Sequence, residues 1–389
     1  MKSDVDIANM IQSYLTRCED EMLIFLENLV TIESPSYSVT SQHKIIDFLK
    51  EEFEKIGYHS VHVLGKKTGG YLYIKPANRV KQLPLQLLIG HCDTVWPIDT
   101  LAEMPISYKN KTIKGPGIYD MKVGLTQIVF ALRAIKELSL DISVTPVVLI
   151  NSDEEIGSKE STNMIKRLAK ISSRAYVLEP PLGLDGKLKT ARKGIGRFTI
   201  TVKGKAAHAG LDPTKGINAI VELSHQVQKL YAMNNIEKGI TVNVGMIEGG
   251  ISPNMIAPES KAIVDVRVLN KTDGEYITSK IKALKPNLQD IELYIEGRIG
   301  RPPMQKTSRN QALWKIAEQK GKLLGLELDE ATAGGGSDAN TTSQFTATLD
   351  GLGTPGDGAH ALHEYILRDK LIERTALLTL LLLTKPLNH

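Results

Sequence analysis

Potential metal ligands follow three apolar segments of the sequence. Each segment runs directly into histidine or glutamate: LQLLIG into His91, PVVLINSD into Glu154 and Glu155, and AYVL into Glu179. Imidazole and carboxylate groups are ligands that zinc accepts. In an α/β sheet, ligand-binding residues gather at the carboxyl ends of the strands. The sequence therefore predicts a metal site at one edge of a sheet.

Further candidate ligands lie in loops. Asp120 stands in the turn-rich segment GPGIYDMK, just before a predicted helix, and either His360 or His363 follows a glycine-rich segment. A charge count favours two ions over one. Asp120, Glu155 and Glu179 carry three negative charges, and a bridging hydroxide adds a fourth, which together balance two Zn²⁺.

Two carboxylates beside the predicted ligands have other predicted roles. Glu154 is adjacent to Glu155, so one carboxylate can bind metal while the other manages the proton of a water molecule. Metal-assisted hydrolysis requires this division of labour. Asp93 lies two residues after His91, where its carboxylate can hold the second ring nitrogen of a metal-bound imidazole.

Seven short motifs, taken in order, resemble those of the two-zinc aminoacylase and carboxypeptidase metallopeptidases. They are HCDTV (91–95), GPGIYDMKVG (115–124), SDEEIGS (152–158), LEP (178–180), GKAAHAG (204–210), DVRV (265–268) and GAHALHEY (358–365). This family includes glutamate carboxypeptidase, acetylornithine deacetylase and succinyl-diaminopimelate desuccinylase. The resemblance spans most of the chain, and the ordered set is far more specific than any one motif.

The resemblance implies a role for each predicted ligand. It assigns five residues to two zinc ions: His91 and Glu179 to one, Glu155 and His360 to the other, and Asp120 to both. His360 is preferred to His363 because a glutamate and an aromatic residue follow it at the family's spacing. The implied general base is Glu154. The implied cofactor is two Zn²⁺ per chain, with Co²⁺ or Mn²⁺ as substitutes.

The resemblance also implies an inserted lid that binds substrate. His208 in GKAAHAG matches the lid histidine that supports the substrate oxyanion, often across a dimer. Arg267 and Asn254 would bind the substrate carboxylate, with Gly335 and Gly336 nearby. Arginine suits this role because its planar guanidinium binds carboxylate in a bidentate manner.

The periodicity of apolar residues predicts the elements that position these side chains. Helical spacing occurs in residues 5–30 and 45–56, and bounded apolar runs in 71–74, 85–89, 144–150 and 175–178 resemble strands covered on both faces. Further helical patterns lie at 122–138 and 161–169. This alternation predicts an α/β catalytic domain with a helix-flanked, mostly parallel sheet, formed by residues 1–190 plus 301–389.

From residue 191 to 300 the pattern changes. RFTITVKG, GITVNVGMIEGG and KAIVDVRVLN alternate apolar and polar residues, with helical patterns at 217–230 and 276–284 between them. Such alternation is typical of a sheet with one buried face. We therefore expect residues 191–300 to form an inserted α+β lid, or dimerisation, domain.

Composition excludes several other classes. The 389 residues exceed the roughly 250–300 at which a single core stops growing, so two domains are expected. The net charge of +4 is spread along the chain, which argues against nucleic acid. The longest apolar run, 376–383, is shorter than the ~20 residues of a membrane span. The acidic opening MKSDVDIANM does not resemble an export signal, so a cytoplasmic location is expected.

Several functions are compatible with this predicted fold and metal site. GGGSDAN and RKGIGRFTI resemble the glutamate carboxypeptidase branch, which favours a carboxypeptidase acting on small peptides. An N-acyl-amino-acid deacylase of the acetylornithine or succinyl-diaminopimelate type is the main alternative, because its substrates also carry an amide beside a carboxylate. A two-zinc aminopeptidase and a non-catalytic metal- or peptide-binding relative are further alternatives. The resemblance implies a homodimer through the lid.

Overall fold

The computed structural model describes residues 3–387 and divides the chain into two compact units. The larger unit contains the described residues up to Thr190, Lys306–Thr332 and the described residues from Ser337 onward. The smaller unit contains Ala191–Gln305 together with Ala333–Gly336. The first part of the glycine-rich segment is therefore in the smaller unit.

Residues 3–192 form six α-helices and eight strands. The helices are α1 (Asp4–Arg17), α2 (Glu19–Thr31), α3 (Val39–Lys55), α4 (Thr100–Glu103), α5 (Val123–Glu137) and α6 (Thr162–Ile171). The strands are β1 (Tyr58–Val63), β2 (Tyr71–Pro76), β3 (Leu85–His91), β4 (Ser107–Lys109), β5 (Thr112–Lys114), β6 (Thr145–Asn151), β7 (Ser172–Val177) and β8 (Leu188–Arg192). A short π-helical turn, Ile118–Lys122, precedes α5.

The remaining elements follow in two groups. Between residues 194 and 301 lie β9 (Gly194–Lys203), α7 (Ala219–Tyr231), β10 (Thr241–Gly249), β11 (Glu259–Val268), α8 (Lys271–Lys282) and β12 (Glu292–Arg301). After them come α9 (Ser308–Leu323), β13 (Glu330–Ala333), α10 (Ala339–Thr342), β14 (Ala347–Leu349), β15 (Gly356–Asp357), β16 (Tyr365–Leu367) and α11 (Asp369–Leu382).

The larger unit is built on a six-stranded sheet in the order β1-β2-β6-β3-β7-β14. The pairings of β3 with β6, β3 with β7 and β7 with β14 are parallel, and those of β1 and β2 are antiparallel. Every residue of β3 and β6 is buried. Central parallel strands require apolar residues on both faces because helices cover both. The predicted fold class, an α/β catalytic fold with a mostly parallel sheet and a separate dimerisation domain, is confirmed.

The N-terminal helical segment differs from its predicted form. Apolar spacing predicts one helical stretch over residues 5–30, whereas the structure has two helices that meet at Cys18. A capping box at Ser3 begins α1. Both helices bury apolar residues in the core that α5 and α11 also form, so the continuous pattern reflects a shared core. No helix within residues 3–387 has the length and apolar character needed to cross a membrane.

The smaller unit is a four-stranded antiparallel sheet, in the order β10-β11-β9-β12, with α7 and α8 packed against it. Alternate residues of β9 and β11 are buried, which explains the two-residue periodicity of their sequences. Asn218 and Asn270 cap the two helices by accepting backbone amide hydrogen bonds. The buried Glu222 of α7 accepts hydrogen bonds from the amides of Asn287 and Leu288 and from the Gln226 side chain.

Candidate metal centre

Neighbouring strands carry the predicted ligands at one end of the large sheet. His91 is the last residue of β3, which lies between β6 and β7. Glu155 follows the end of β6 by four residues, and Glu179 follows the end of β7 by two. All three strands are parallel, so their carboxyl ends meet at one edge. The order of the strands therefore brings distant segments of sequence together.

Five side chains meet there in two overlapping groups. One group contains His91, Asp120 and Glu179, and the other contains Asp120, Glu155 and His360; within each group the potential ligand atoms lie within 4.8 Å of one another. The Asp120 carboxylate belongs to both. Its Oδ1 lies 3.1 Å from Nε2 of His91, and its Oδ2 lies 3.5 Å from Nε2 of His360.

Each group is completed by one glutamate. Oε1 of Glu179 lies 3.6 Å from Nε2 of His91, and Oε2 of Glu155 lies 3.1 Å from Nε2 of His360. The pattern of one shared aspartate with a histidine and a glutamate on each side suits two divalent cations. His363 is exposed and belongs to neither group found among the described residues.

The grouping of three carboxylates, those of Asp120, Glu155 and Glu179, supports a cation at this centre. Carboxylates in one partly buried space repel one another unless positive charge compensates them. Within the described part of the chain, Oε1 of Glu155 is buried and lacks a hydrogen-bond partner. Burial raises the pKa of Glu155 to about 7. These observations fit a donor set that binds metal ions.

The carboxylates of the centre raise the pKa of both His91 and His360. Burial alone lowers the pKa of His91, but hydrogen bonds with Asp120 and Asp93 raise it well above its ordinary value. Hydrogen bonds with Asp120 and Glu155 raise the pKa of His360 to about 10. Burial alone raises the pKa of Asp120, but His360 and His91 hold it well below its usual range. The centre therefore favours positive charge.

Asp93 contacts His91 through its backbone carbonyl and, at a longer distance, through its carboxylate. Its carbonyl oxygen accepts a hydrogen bond of 2.9 Å from Nδ1 of His91, whereas the predicted carboxylate contact is 3.5 Å long. This bond assigns a proton to Nδ1, so Nε2 is the nitrogen that faces the centre. The carboxylate also accepts hydrogen bonds from the amides of Glu154 and Glu155 and from Oγ of Ser36. It thus holds the loop that follows β6.

Glu154 is buried in that loop and belongs to neither group of potential ligands. Its backbone amide donates a hydrogen bond of 3.2 Å to Oδ1 of Asp93. Glu155 is therefore a potential ligand, whereas its neighbour Glu154 is not. Its role as general base stays a prediction.

The predicted substrate-binding residues all belong to the smaller unit. His208 is exposed, and its Nδ1 accepts hydrogen bonds from the amides of Gly210 and Leu211, both 3.1 Å long. In the neutral imidazole, Nε2 then carries the hydrogen and is a donor. Asn254 lies beside this turn, since its carbonyl accepts a hydrogen bond from the amide of Ala209.

Arg267 lies against the glycine-rich segment. Its Nη1 donates to the carbonyl of Gly334 at 3.4 Å, while Nε and Nη2 donate to the Asp265 carboxylate. The carbonyl of Gly335 accepts from Arg192. A Cβ atom at Gly336 would lie 2.6 Å from Cδ1 of Ile195, so a larger residue there would displace the end of that side chain. Their roles in substrate binding stay predictions.

Sequence reasoning missed residues that support the centre. Glu364 is fully buried and accepts hydrogen bonds from the amide of Asp120 and from Trp96, yet in the sequence it served only as a spacing marker. Asp338 accepts hydrogen bonds from Asn151 and Ser158 on either side of the loop with the paired glutamates. An acidic residue inside an otherwise recognised motif was the available signal in both cases.

Comparison with known proteins agrees with this architecture. The sequence model of the peptidase dimerisation domain matches residues 190–290. Carboxypeptidase G2 of Pseudomonas sp. (strain RS-16) is 28% identical over 348 residues, which cover 86% of this chain and 82% of that protein. Succinyl-diaminopimelate desuccinylase of Sulfurimonas denitrificans is 25% identical over 346 residues, covering 84% and 90%.

The fold is also found in solved structures. Aminopeptidase PepT from Bacillus cereus superposes with a TM-score of 0.80 at 21% identity, covering 94% of this chain and 98% of that one. The chain is similar to M20 peptidases over most of its length. M20 peptidases are metal-dependent peptidases and amidohydrolases, and a dinuclear metal centre is known among them. The predicted family and the predicted class of metal-dependent hydrolase are therefore confirmed.

Proposed function

We propose that the chain is a two-zinc carboxypeptidase that hydrolyses an amide bond next to a free carboxylate. The observation that carries the proposal is the pair of overlapping ligand groups that share Asp120. His91 and Glu179 would hold one ion, and Glu155 and His360 the other. When bound, such a pair of ions supplies Lewis acidity toward the scissile carbonyl and activates water for attack.

Proton transfer is assigned to Glu154. Its carboxylate accepts a proton from the attacking water and returns it to the nitrogen of the leaving amine, so that the base is regenerated in each cycle. Asp93 supports this step because its carboxylate binds the amides of both Glu154 and Glu155. The base and the neighbouring ligand therefore keep a fixed relative position.

Two residues of the smaller unit are assigned to the substrate. The Nε2 hydrogen of His208 donates to the oxyanion that develops during attack, a contribution of roughly 3–4 kcal/mol for such donors. Arg267 binds the substrate carboxylate. Because Asp265 occupies the Nε edge of its guanidinium, the substrate contacts the edge formed by the two Nη atoms. Asn254, Gly335 and Gly336 complete the substrate contacts.

The proposed assembly is a cytoplasmic homodimer formed through the smaller unit. Strand β10 is at an edge of the sheet, and it exposes Met246 and Ile247. The adjacent helix α7 exposes Ile220, Val221 and Tyr231. An unpaired strand edge beside apolar side chains is a surface that proteins cover. The match to a peptidase dimerisation domain supports the same assembly.

A deacylase is the second candidate function. It is supported by the similarity to succinyl-diaminopimelate desuccinylase over 84% of this chain. Its substrates carry the same pairing of amide and carboxylate, so the same residues would serve. The two candidates differ in the group that lies on the acyl side of the bond.

A substrate panel tests the proposal. The zinc- or cobalt-loaded protein is assayed with a dipeptide that ends in glutamate, with N-acetylornithine, with N-succinyl-diaminopimelate, and with the same dipeptide amidated at its C-terminus. We expect the free dipeptide to be hydrolysed fastest and the amidated one to be resistant. Preference for an N-acyl amino acid would establish the deacylase instead. Equal cleavage of the amidated dipeptide would indicate an aminopeptidase and overturn both candidates.

A further inference from the structure

Glu364 is a carboxylate with no solvent exposure and four hydrogen-bond donors. Oε1 accepts from the amide of Tyr119 at 2.9 Å and from that of Asp120 at 3.1 Å. Oε2 accepts from the amide of Gly117 at 2.9 Å and from the indole nitrogen of Trp96 at 2.8 Å. Each carboxylate oxygen therefore accepts two hydrogen bonds. A buried carboxylate is stable only when hydrogen bonds of this kind replace its lost hydration.

Three of these donors belong to the loop that carries Asp120. The backbone of that residue is not helical, with φ −116° and ψ 94°, although it lies within the π-helical turn. Three amides that point at one carboxylate fix the peptide planes between Gly117 and Asp120. The direction in which the Asp120 side chain leaves the backbone follows from those planes.

Glu364 also lies on the segment that carries His360. Its amide donates to the carbonyl of Ala361, whose own amide donates to the carbonyl of Gly358, so a tight turn contains His360. The next residue begins β16, which pairs with β5 immediately before the loop of Asp120. Glu364 therefore connects, within one residue, the turn of one predicted ligand and the loop of another.

We infer that Glu364 is a positioning residue that sets the distance between Asp120 and His360 and thereby preorganises the metal centre. The inference rests on the proposed function. Glu364 touches the backbone of one predicted ligand, and its carboxylate belongs to neither ligand group found in the described residues. It acts through other residues and has no direct role in the chemistry.

Metal affinity of the apoprotein tests this role. Glu364→Gln keeps the shape of the side chain but turns an amide nitrogen toward two of the four donors. Apoprotein is titrated with Co²⁺ or Zn²⁺ in competition with a chromophoric chelator. Loss of a residue that orients metal ligands weakens metal binding by about 10- to 100-fold, so we expect Glu364→Gln to bind at least one ion about ten-fold more weakly. Excess metal should restore much of its kcat, with KM little changed.

Glu222→Gln is the matched control, because Glu222 is another buried carboxylate that accepts backbone amides, but in the smaller unit. Its Tm should fall while both metal affinities stay unchanged. If Glu364→Gln does not fold, Trp96→Phe removes one donor only and should weaken metal binding about two- to threefold, as the loss of a single hydrogen bond does. Wild-type affinity for both ions in a folded Glu364→Gln variant, or in Trp96→Phe, would overturn the inference.

The result separates this inference from the proposed function. Should wild-type protein bind fewer than two ions, the proposed two-metal function fails irrespective of Glu364. Should it bind two ions that Glu364→Gln also binds normally, only the positioning role is lost.

Discussion

Replacing Asp93 with asparagine should slow hydrolysis about 30-fold without releasing metal. The carboxylate uses Oδ1 for the amide of Glu154 and Oδ2 for the amide of Glu155, both at 3.2 Å. Asparagine has only one acceptor oxygen, so one of the two backbone amides would face the side-chain NH2 group, which is itself a donor. A hydrogen bond to a charged group is worth about 1.5–3 kcal/mol, and 2 kcal/mol at the base corresponds to about 30-fold in kcat.

The same variant keeps the contact that orients His91. The bond from Nδ1 goes to the carbonyl of Asp93, which the substitution does not change. Steady-state hydrolysis of a glutamate-terminated dipeptide, combined with elemental analysis of the protein, measures the two effects separately. We expect kcat to fall while two ions per chain remain bound.

Ser36→Ala provides a graded comparison. Oγ of Ser36 donates a hydrogen bond of 2.7 Å to Oδ2 of Asp93. Removing this hydroxyl leaves the hydrogen bonds from the two backbone amides of the loop in place. The expected loss of kcat is within about threefold, because a single neutral donor is removed. If Asp93→Asn retained kcat within twofold of wild type, or lost metal in parallel with activity, the assignment of Asp93 to the loop would be refuted.

Three further predictions concern other residues. Glu154→Gln should lower kcat by about 10²–10⁴-fold with unchanged metal content, as expected for a general base; an active variant would exclude that role. His208→Ala should lower kcat by about 10²–10³-fold, whereas an effect on KM alone would indicate ground-state binding instead of oxyanion stabilisation. Burial alone raises the pKa of Glu222, but hydrogen bonds from a glutamine side chain and two backbone amides lower it below its ordinary value. Because the folded-state pKa is depressed, the stabilisation is present at neutral pH and is lost as the pH falls below about 4; Glu222→Gln should flatten the acid dependence of Tm, and an unchanged dependence would contradict the assignment.

The grouping of the potential metal ligands could largely be predicted from the sequence. Residues 85–91 and 145–151 are continuous apolar runs because parallel strands in the middle of a sheet are covered on both faces. The polar residue that ends such a strand then lies at the edge where other strand ends meet. This reasoning, together with the ordered motifs, predicts one centre that contains His91, Glu155 and Glu179.

Contacts between distant segments were not predictable. The bond from the amide of Asp120 to Glu364 joins residues 244 positions apart, and no local pattern encodes it. The bonds from the amides of Glu154 and Glu155 to the Asp93 carboxylate were not predictable either, because spacing from His91 does not reveal amides that follow β6. The break between α1 and α2 at Cys18 was not predicted, because the helical spacing of apolar residues continues through it.

The most direct test is to locate the ions themselves. Crystals of zinc-loaded protein measured at the zinc absorption edge should give two anomalous peaks per chain, roughly 3.5–4 Å apart, as in other two-metal sites. One peak should contact His91 and Glu179, the other Glu155 and His360, and both should contact Asp120. A single peak, or peaks away from these five side chains, would contradict the proposed two-zinc centre.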